Sequence, residues 1–317
     1  MLDIQSASEP KQNFTFIANI SRLVDIEVYT FAPGQELRRA KAEEIVMLRK
    51  KIEPFFPFPQ ELYRDLWESR LSPNGQTYEA LPEIDWRYFV IAFTGLNTTI
   101  ENLISAFCLA PLELETIFTI SYDRDAVIGI TWDTSRLLQT LKRMPFNPDF
   151  FQEVKWGDLE AIRNIYELLL CHDKNMINIK RATQKFVELK AIPQSSDLLF
   201  LGYFAILESL LTHAPKPGDP YDSITRQVKN KISLLNERWS ARLDYTPFNK
   251  VRPETVWERM YEYRSQLAHG CIPDFSDKEL KVLHSAEIAL SLVKDAAKAV
   301  ARQALIEPRL IADLRKC

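Results

Sequence analysis

The sequence of 317 residues predicts an α+β protein, with a mixed α/β region over about residues 1–150 and an all-helical region over residues 151–317. Two observations predict this division. The first half contains short apolar runs with the period of two that is typical of strands. From Asp158 onward the apolar residues recur with helical spacing. Prolines at 145 and 148 mark the expected boundary between the two regions.

Short-range patterns predict the elements of the first half but not the order of the strands in a sheet. Residues 14–20 and 24–31 predict a strand pair, and residues 35–52 predict a charged helix. The further predicted elements are a short helix at 62–71, a buried strand at 86–93, a helix from a capping box at Thr98 to residue 109, a hairpin of 113–122 with 126–132, and a helix at 134–144.

The second half predicts a succession of helices, whose core at about residues 195–305 is expected to form an antiparallel bundle. Residues 197–213, preceded by Ser195 or Ser196 as the cap, are apolar almost all round and predict the central helix. The other predicted helices are 158–171, 175–189, 221–243, the helix that begins at Pro253, 276–305 capped by Ser276, and 309–316.

The helix that begins at Pro253 has an unusual charge distribution. Proline suits the first helical position, and Gly270 predicts a left-handed cap at the C-terminal end. At about 100° per residue, Arg264 falls between Met260 and Ala268, inside the apolar arc. A guanidinium on a buried face requires a partner or a water-filled site, because unpaired burial costs several kcal/mol.

His269 follows in the last turn of the same helix. Histidine is the side chain whose charge changes near neutral pH, so it suits acid–base chemistry. The spacing Arg-x-x-x-x-His is by itself a weak pattern. It is equally compatible with a structural ion pair at Arg264 and a helix-capping role for His269.

The surrounding residues make the pattern more specific. Tyr261, Arg264, Ser265, His269 and Gly270 follow the order YxxRSxxxHG, which resembles the signature of HEPN domains, particularly the Apea-like group. The resemblance covers about residues 197–305. It implies an all-helical bundle and a metal-independent endoribonuclease without a cofactor, with an RNA substrate.

The resemblance also implies roles for individual residues. Arg264 and His269 match the two motif positions and are the predicted catalytic residues, and Ser265 and Tyr261 are predicted to support them. Relatives pair as homodimers through the motif helix, and many serve as toxins or in defence against phages. The alternative is a non-catalytic HEPN-like module that binds RNA, a nucleotide or a protein.

Glu208 is the one interior charge of the predicted central helix. Two lone opposite charges on faces that both require burial are expected to pair, because pairing relieves the cost of each. We therefore predict that Glu208 lies close to Arg264 and orients its guanidinium. The alternative is that Glu208 reaches a backbone N–H group or solvent.

Composition excludes several other classes of protein. The longest apolar run, residues 198–207, is too short to span a bilayer, so no membrane association is expected, and the N-terminus lacks the pattern of a secretory signal. Four scattered cysteines without a CxxC pair fit a reducing cytosol. No Rossmann or P-loop glycine pattern occurs, and Asp123, Asp125 and Asp133 stand where aspartate is an ordinary turn residue rather than a metal ligand.

Charge is distributed unevenly along the chain. The formal net charge is −3, yet residues 174–252 contain thirteen Lys and Arg against seven Asp and Glu. This surplus is compatible with a basic surface that faces a polyanion, and equally with a solvated helix face.

Overall fold

The computed structural model describes residues 12–53, 67–72, 77–95, 100–123, 126–132, 137–140, 150–171, 177–215 and 222–317. The chain forms two compact units, Met1–Tyr166 and Glu167–Cys317. The predicted boundary at residues 145–148 lies outside the described residues, and the two units meet inside a helix, Trp156–Cys171. The predicted α+β class is confirmed, because a sheet region precedes a run of helices.

The N-terminal unit is built mainly from strands. They are β1 Gln12–Ile17, β2 Ile20–Leu23, β3 Val28–Ala32, β4 Gln35–Arg39, β5 Ser69–Leu71, β6 Tyr78–Ala80, β7 Phe89–Thr94, β8 Thr116–Asp123, β9 Ala126–Trp132 and β10 Gln152–Val154. The helices are α1 Ala42–Ile52, α2 Glu101–Leu109 and the first part of α3, Trp156–Cys171.

The largest sheet has six strands in the order β3-β4-β7-β1-β8-β9, and every neighbouring pair is antiparallel. Its central strand β1 is covered on both faces, because Phe14 and Thr15 are both buried. Thr15 meets Thr119 of β8 through a hydroxyl contact of 2.7 Å. Two small sheets complete the unit: β10 pairs with β2 in parallel, and β5 pairs with β6 in antiparallel orientation.

Several predicted elements of this half are confirmed. The buried strand at 86–93 corresponds to β7, the hairpin to β8 and β9, and the helix ending at residue 109 to α2. Residues 137–140, the described part of the helix predicted at 134–144, are helical. The capping residue Thr98, the side chain of Asp123, and Asp125 and Asp133 lie outside the described residues.

Three predictions in this half are wrong. The strand pair predicted at 14–20 and 24–31 does not form. The two runs correspond mainly to β1 and β3, and β1 lies between β7 and β8. Residues 35–39 form strand β4 instead of the start of a helix. Gly34, with φ +74°, turns the chain into a β3–β4 hairpin, and Gln35 and Leu37 are buried at alternate positions. The short helix predicted at 62–71 is wrong in its last part: Trp67 and Glu68 are helical, residues 69–71 form strand β5, and residues 62–66 lie outside the described residues.

The C-terminal unit is helical. After the end of α3, its helices are α4 Ile177–Glu188, α5 Asp197–Leu211, α6 Ile224–Arg238, α7 Pro253–Ala268, α8 Ala286–Ile306 and α9 Pro308–Lys316. Helix α5 contacts α4, α6, α7, α8 and α9, so the prediction that it is the central helix is confirmed. Its N-cap is Ser196, whose side chain accepts a hydrogen bond from the backbone N–H of Leu198.

The predicted helix from Ser276 to residue 305 is wrong in its first part. Helix α8 begins only at Ala286, where the side chain of Ser285 accepts from the backbone N–H of Ile288. Asp274 holds Ser276 in a turn, by accepting from its backbone N–H at 2.8 Å and from its hydroxyl at 2.7 Å. This local hydrogen bonding competes with helix formation, so Ser276 belongs to a turn and Ser285 is the cap.

In the part of the chain that the structure describes, no helix is both long enough and apolar enough to cross a lipid bilayer.

Candidate functional site

Helix α7 carries the candidate site and is anchored to the bundle by its apolar face. Val256, Trp257, Met260 and Tyr263 are buried on this face. The indole N–H of Trp257 donates to the hydroxyl of Tyr245 at 2.8 Å, and Pro253 occupies the predicted first helical position. The apolar arc predicted for this helix is therefore buried over these four residues, whereas Ala268 at its C-terminal end is exposed.

The C-terminal end of α7 is closed by a complete Schellman motif. The backbone N–H of Gly270 donates to the carbonyl of Leu267 at 3.1 Å, and that of Cys271 donates to the carbonyl of Gln266 at 2.9 Å. Gly270 has φ +72°, which confirms the predicted left-handed cap. His269 occupies the C-cap position, and its side chain is exposed. The motif therefore holds the His269 backbone in one place and leaves the imidazole accessible to solvent.

Arg264 lies where the sequence predicted, beside Glu208. Its Nη2 donates to Oε2 of Glu208 at 3.2 Å, so the predicted proximity of the two side chains is confirmed. The Arg264 side chain is 32% exposed and that of Glu208 is 19% exposed. Among the described residues, Nε and Nη1 of Arg264 have no hydrogen-bond partner, so most of the guanidinium donors are available to a ligand.

Glu208 is only half satisfied by this ion pair. Its second carboxylate oxygen, Oε1, is buried and accepts no hydrogen bond within the described part of the chain. A buried acceptor without a donor is costly, and a small rotation of the guanidinium toward a two-pronged contact would relieve that cost. The pair therefore has room to change its geometry when a ligand binds.

The two supporting residues lie differently around Arg264. The ring of Tyr261 is 5.8 Å from Cζ of Arg264 and 6.0 Å from the ring of Phe204 on α5, so it links the guanidinium to the aromatic core. Ser265 contributes through its backbone, because its carbonyl accepts from the N–H of His269 at 3.1 Å. The hydroxyl of Ser265 has no hydrogen bond among the described residues.

Tyr263 lies on the buried apolar face of the motif helix and packs against two aromatic rings. Its ring centroid lies 4.5 Å from that of Phe200 and 5.1 Å from that of Phe275. Burial raises the pKa of Tyr263 to about 12, with further contributions from Asp197 and Glu287, so this tyrosine stays neutral at physiological pH. Sequence reasoning missed Phe275, because the segment after Pro273 was expected to enter a helix at once. The Asp274 and Ser276 pair was the signal for a turn.

The other described histidines are committed elsewhere. Both ring nitrogens of His213 have partners, the carbonyl of Arg315 at 3.0 Å and the carboxylate of Asp222 at 3.2 Å. His284 lies 3.2 Å from the amide of Asn249, just before the start of α7. Since a helix of 16 residues rises about 24 Å, His284 lies near the opposite end of the motif helix from His269. His172 lies outside the described residues.

In comparisons with known proteins, no family model, no curated protein and no solved structure matches the chain.

Proposed function

We propose that the C-terminal unit is a HEPN-type endoribonuclease, which cleaves RNA without a metal ion by attack of a ribose 2′-hydroxyl on the adjacent phosphorus. One observation carries the proposal. The motif helix holds a partly exposed guanidinium, oriented by Glu208 at 3.2 Å, and ends at an exposed histidine. The resemblance of residues 261–270 to the HEPN signature gives this arrangement its chemical interpretation.

The proposed reaction needs a phosphate-binding group and proton transfer. His269 removes the proton of the 2′-hydroxyl or protonates the leaving 5′-oxygen. Arg264 contacts two phosphate oxygens through its fork and stabilises the negative charge that develops on them. The bond from phosphorus to the 5′-oxygen breaks as the bond to the 2′-oxygen forms. The products are a 2′,3′-cyclic phosphate and a 5′-hydroxyl end.

The remaining residues position these two groups. Glu208 restricts the orientation of the Arg264 guanidinium, and the Tyr261 ring lies 5.8 Å from its Cζ. The Schellman motif at Gly270 keeps the His269 backbone in a single conformation. The resemblance implies a role as a toxin or a defence effector, and the scattered cysteines favour a reducing cytoplasm as its location.

Cleavage is expected to continue in EDTA and to leave 2′,3′-cyclic phosphate and 5′-hydroxyl ends, because the nucleophile belongs to the substrate. Purified protein is incubated with total RNA and with tRNA, and the ends are identified by their response to phosphatase and kinase. A matched DNA oligonucleotide is the control, since it lacks the 2′-hydroxyl group. Loss of activity in EDTA that magnesium restores, or cleavage of DNA at a similar rate, would contradict the mechanism.

A dimer follows from the number of proton-transfer groups. Cleavage of one phosphodiester uses one group for the 2′-hydroxyl and one for the 5′-oxygen. The motif offers one histidine per chain, and His213 and His284 are held elsewhere. A two-fold pairing of motif helices supplies two histidines and two arginines to one basic cleft. We therefore propose that the active form is an isologous homodimer.

The dimer is tested by mixing wild-type protein with the His269→Ala variant at constant total concentration, after subunits have exchanged. If each site needs both chains, an equal mixture retains about one quarter of wild-type activity, whereas independent monomers retain about one half. Sizing of the wild type and a mixture with the His284→Ala variant are the controls. Full activity from a strictly monomeric protein would refute the composite site.

The ion pair itself favours a second candidate function. Because Arg264 already contacts a carboxylate, it fulfils a structural role without any substrate. In that case the unit is a non-catalytic module that binds RNA, a nucleotide or a protein. Wild-type protein that binds RNA without cleaving it would favour this second function.

A further inference from the structure

Arg87, two residues before strand β7 in the N-terminal unit, has unusual surroundings for a partly buried arginine. Its guanidinium carbon lies 4.3 Å from the ring centroid of Phe151. Among the described residues it has no ion pair and no side-chain hydrogen bond. By contrast, Arg38 and Arg49 in the same unit each contact a glutamate at 2.8 Å. Arg87 therefore has its charge partly removed from water without a counter-charge, which is unfavourable.

A second cation, the guanidinium of Arg70, adds positive charge near Arg87. Burial lowers the pKa of Arg87, and the neighbouring Arg70 guanidinium lowers it further, with no acidic group among the described residues to offset the two effects. Arg70 is held by Glu79, its cross-strand neighbour on β6, at 3.3 Å. Both of these side chains are well exposed, so their pairing is weak and Arg70 can turn toward a stronger partner.

The backbone on both sides of the Arg87–Phe151 contact is fixed. The N–H of Arg87 donates to the carbonyl of Trp67 at 2.9 Å. The ring of Phe151 packs edge-on against the buried Phe150, and the next residue, Gln152, donates to the carbonyl of Asn19 at 2.9 Å. The guanidinium therefore rests on a platform that is already in place, which reduces the entropy lost when a ligand binds.

We propose that Arg87, stacked on Phe151 and flanked by Arg70, is a binding site for the phosphate monoester group of a small ligand. The ring covers one face of the guanidinium, while the N–H groups at its edge remain free to contact two oxygens at once. Arg87 has no counter-charge among the described residues, and Arg70 adds a second cation that is held only by the exposed Glu79, so the local surplus of positive charge favours a dianion over a single charge. A phosphate monoester carries close to two negative charges at neutral pH, whereas a carboxylate or a phosphodiester carries one.

The site is tested with inorganic phosphate and a nucleoside monophosphate as probes, by ³¹P NMR titration of the full-length protein at constant ionic strength. Saturable binding of both is expected, with dimethyl phosphate binding at least about tenfold more weakly and acetate displacing bound phosphate only at about tenfold higher concentration or more. Arg87→Ala is expected to weaken phosphate binding by about tenfold or more, and Arg87→Lys by less, because lysine keeps the charge and loses the fork.

Two further variants separate a specific phosphate site from two alternatives, a purely structural role for Arg87 and general attraction of anions to positive charge. Glu79→Gln releases Arg70 and is expected to tighten phosphate binding, which a purely structural role for Arg87 does not predict. Arg22→Ala removes an exposed arginine that is paired with Glu153, and it is expected to change nothing. Equal binding by wild type and Arg87→Ala, equal affinity for dimethyl phosphate, or no saturable phosphate binding would overturn the proposal. None of these measurements depends on RNA cleavage, so they are independent of the proposed nuclease activity.

Discussion

Replacing His269 with alanine is expected to lower the rate of RNA cleavage by about 10²–10⁴-fold, the range in which a positioned acid–base group contributes. The fold should be unaffected, because the His269 side chain is exposed and makes no hydrogen bond among the described residues. The measurement is a single-turnover cleavage rate on a defined RNA, with thermal unfolding as the check on structure. His284→Ala is the matched control, since it removes another exposed histidine near the far end of α7.

Arginine variants extend this prediction to the phosphate contact. Arg264→Ala is expected to reduce cleavage to a similar degree, and Arg264→Lys to recover only part of it, because lysine cannot contact two oxygens in a plane. Arg259→Ala, which removes an arginine from the opposite face of the same helix, should retain activity. Wild-type rates in both His269→Ala and Arg264→Ala would contradict the proposed site.

The second large effect concerns stability of the N-terminal unit. Glu44 is fully buried and contacts Arg38 at two points, each of 2.8 Å. It also accepts from the backbone N–H of Lys41 at 2.8 Å, which ties the start of α1 to the same carboxylate. Glu44→Gln should lower the free energy of unfolding by about 3–5 kcal/mol, because it leaves the Arg38 charge buried and uncompensated.

The loss is measured in the N-terminal unit alone by a urea titration in which unfolding is monitored through hydrogen exchange of the β-sheet amides. The Arg22→Ala variant removes an exposed ion pair with Glu153, and it should cost less than about 1 kcal/mol. Combining Arg38→Met with Glu44→Leu should recover part of the loss, since no unpaired charge remains. Equal stability of Glu44→Gln and wild type would show that the pair contributes nothing net.

Local sequence patterns predicted both ends of the motif helix and the contact between Glu208 and Arg264. Pro253 and Gly270 set the two ends of the motif helix through their own backbone preferences, which act over a few residues. The pairing of Glu208 with Arg264 spans 56 positions in the chain, yet it followed from the cost of two lone charges on apolar faces. The prediction succeeded because the helix of Glu208 is apolar almost all round and Arg264 lies within an apolar arc, so each charge stands alone on a face that requires burial.

The same reasoning failed where hydrogen bonds join distant segments. Nothing in the run of residues around Phe14 indicates that its strand pairs with β7 and β8 instead of β3, because strand partners are chosen by the packing of the whole sheet. Residues 35–39 are rich in charge and suit a helix, but Gly34 and burial of Leu37 make them a strand. Tertiary packing overrode the local preference.

The sequence alone determined the α+β class, the ends of the motif helix and the residues that it presents. These depend on side-chain periodicity and on backbone preferences that each residue carries with it. Only the tertiary structure decided the strand order, the exposure of His269, the half-satisfied carboxylate of Glu208 and the platform beneath Arg87. Each of these features depends on which residues, distant in the sequence, pack around a side chain or strand and exclude water from it. Such contacts exist only in the folded chain.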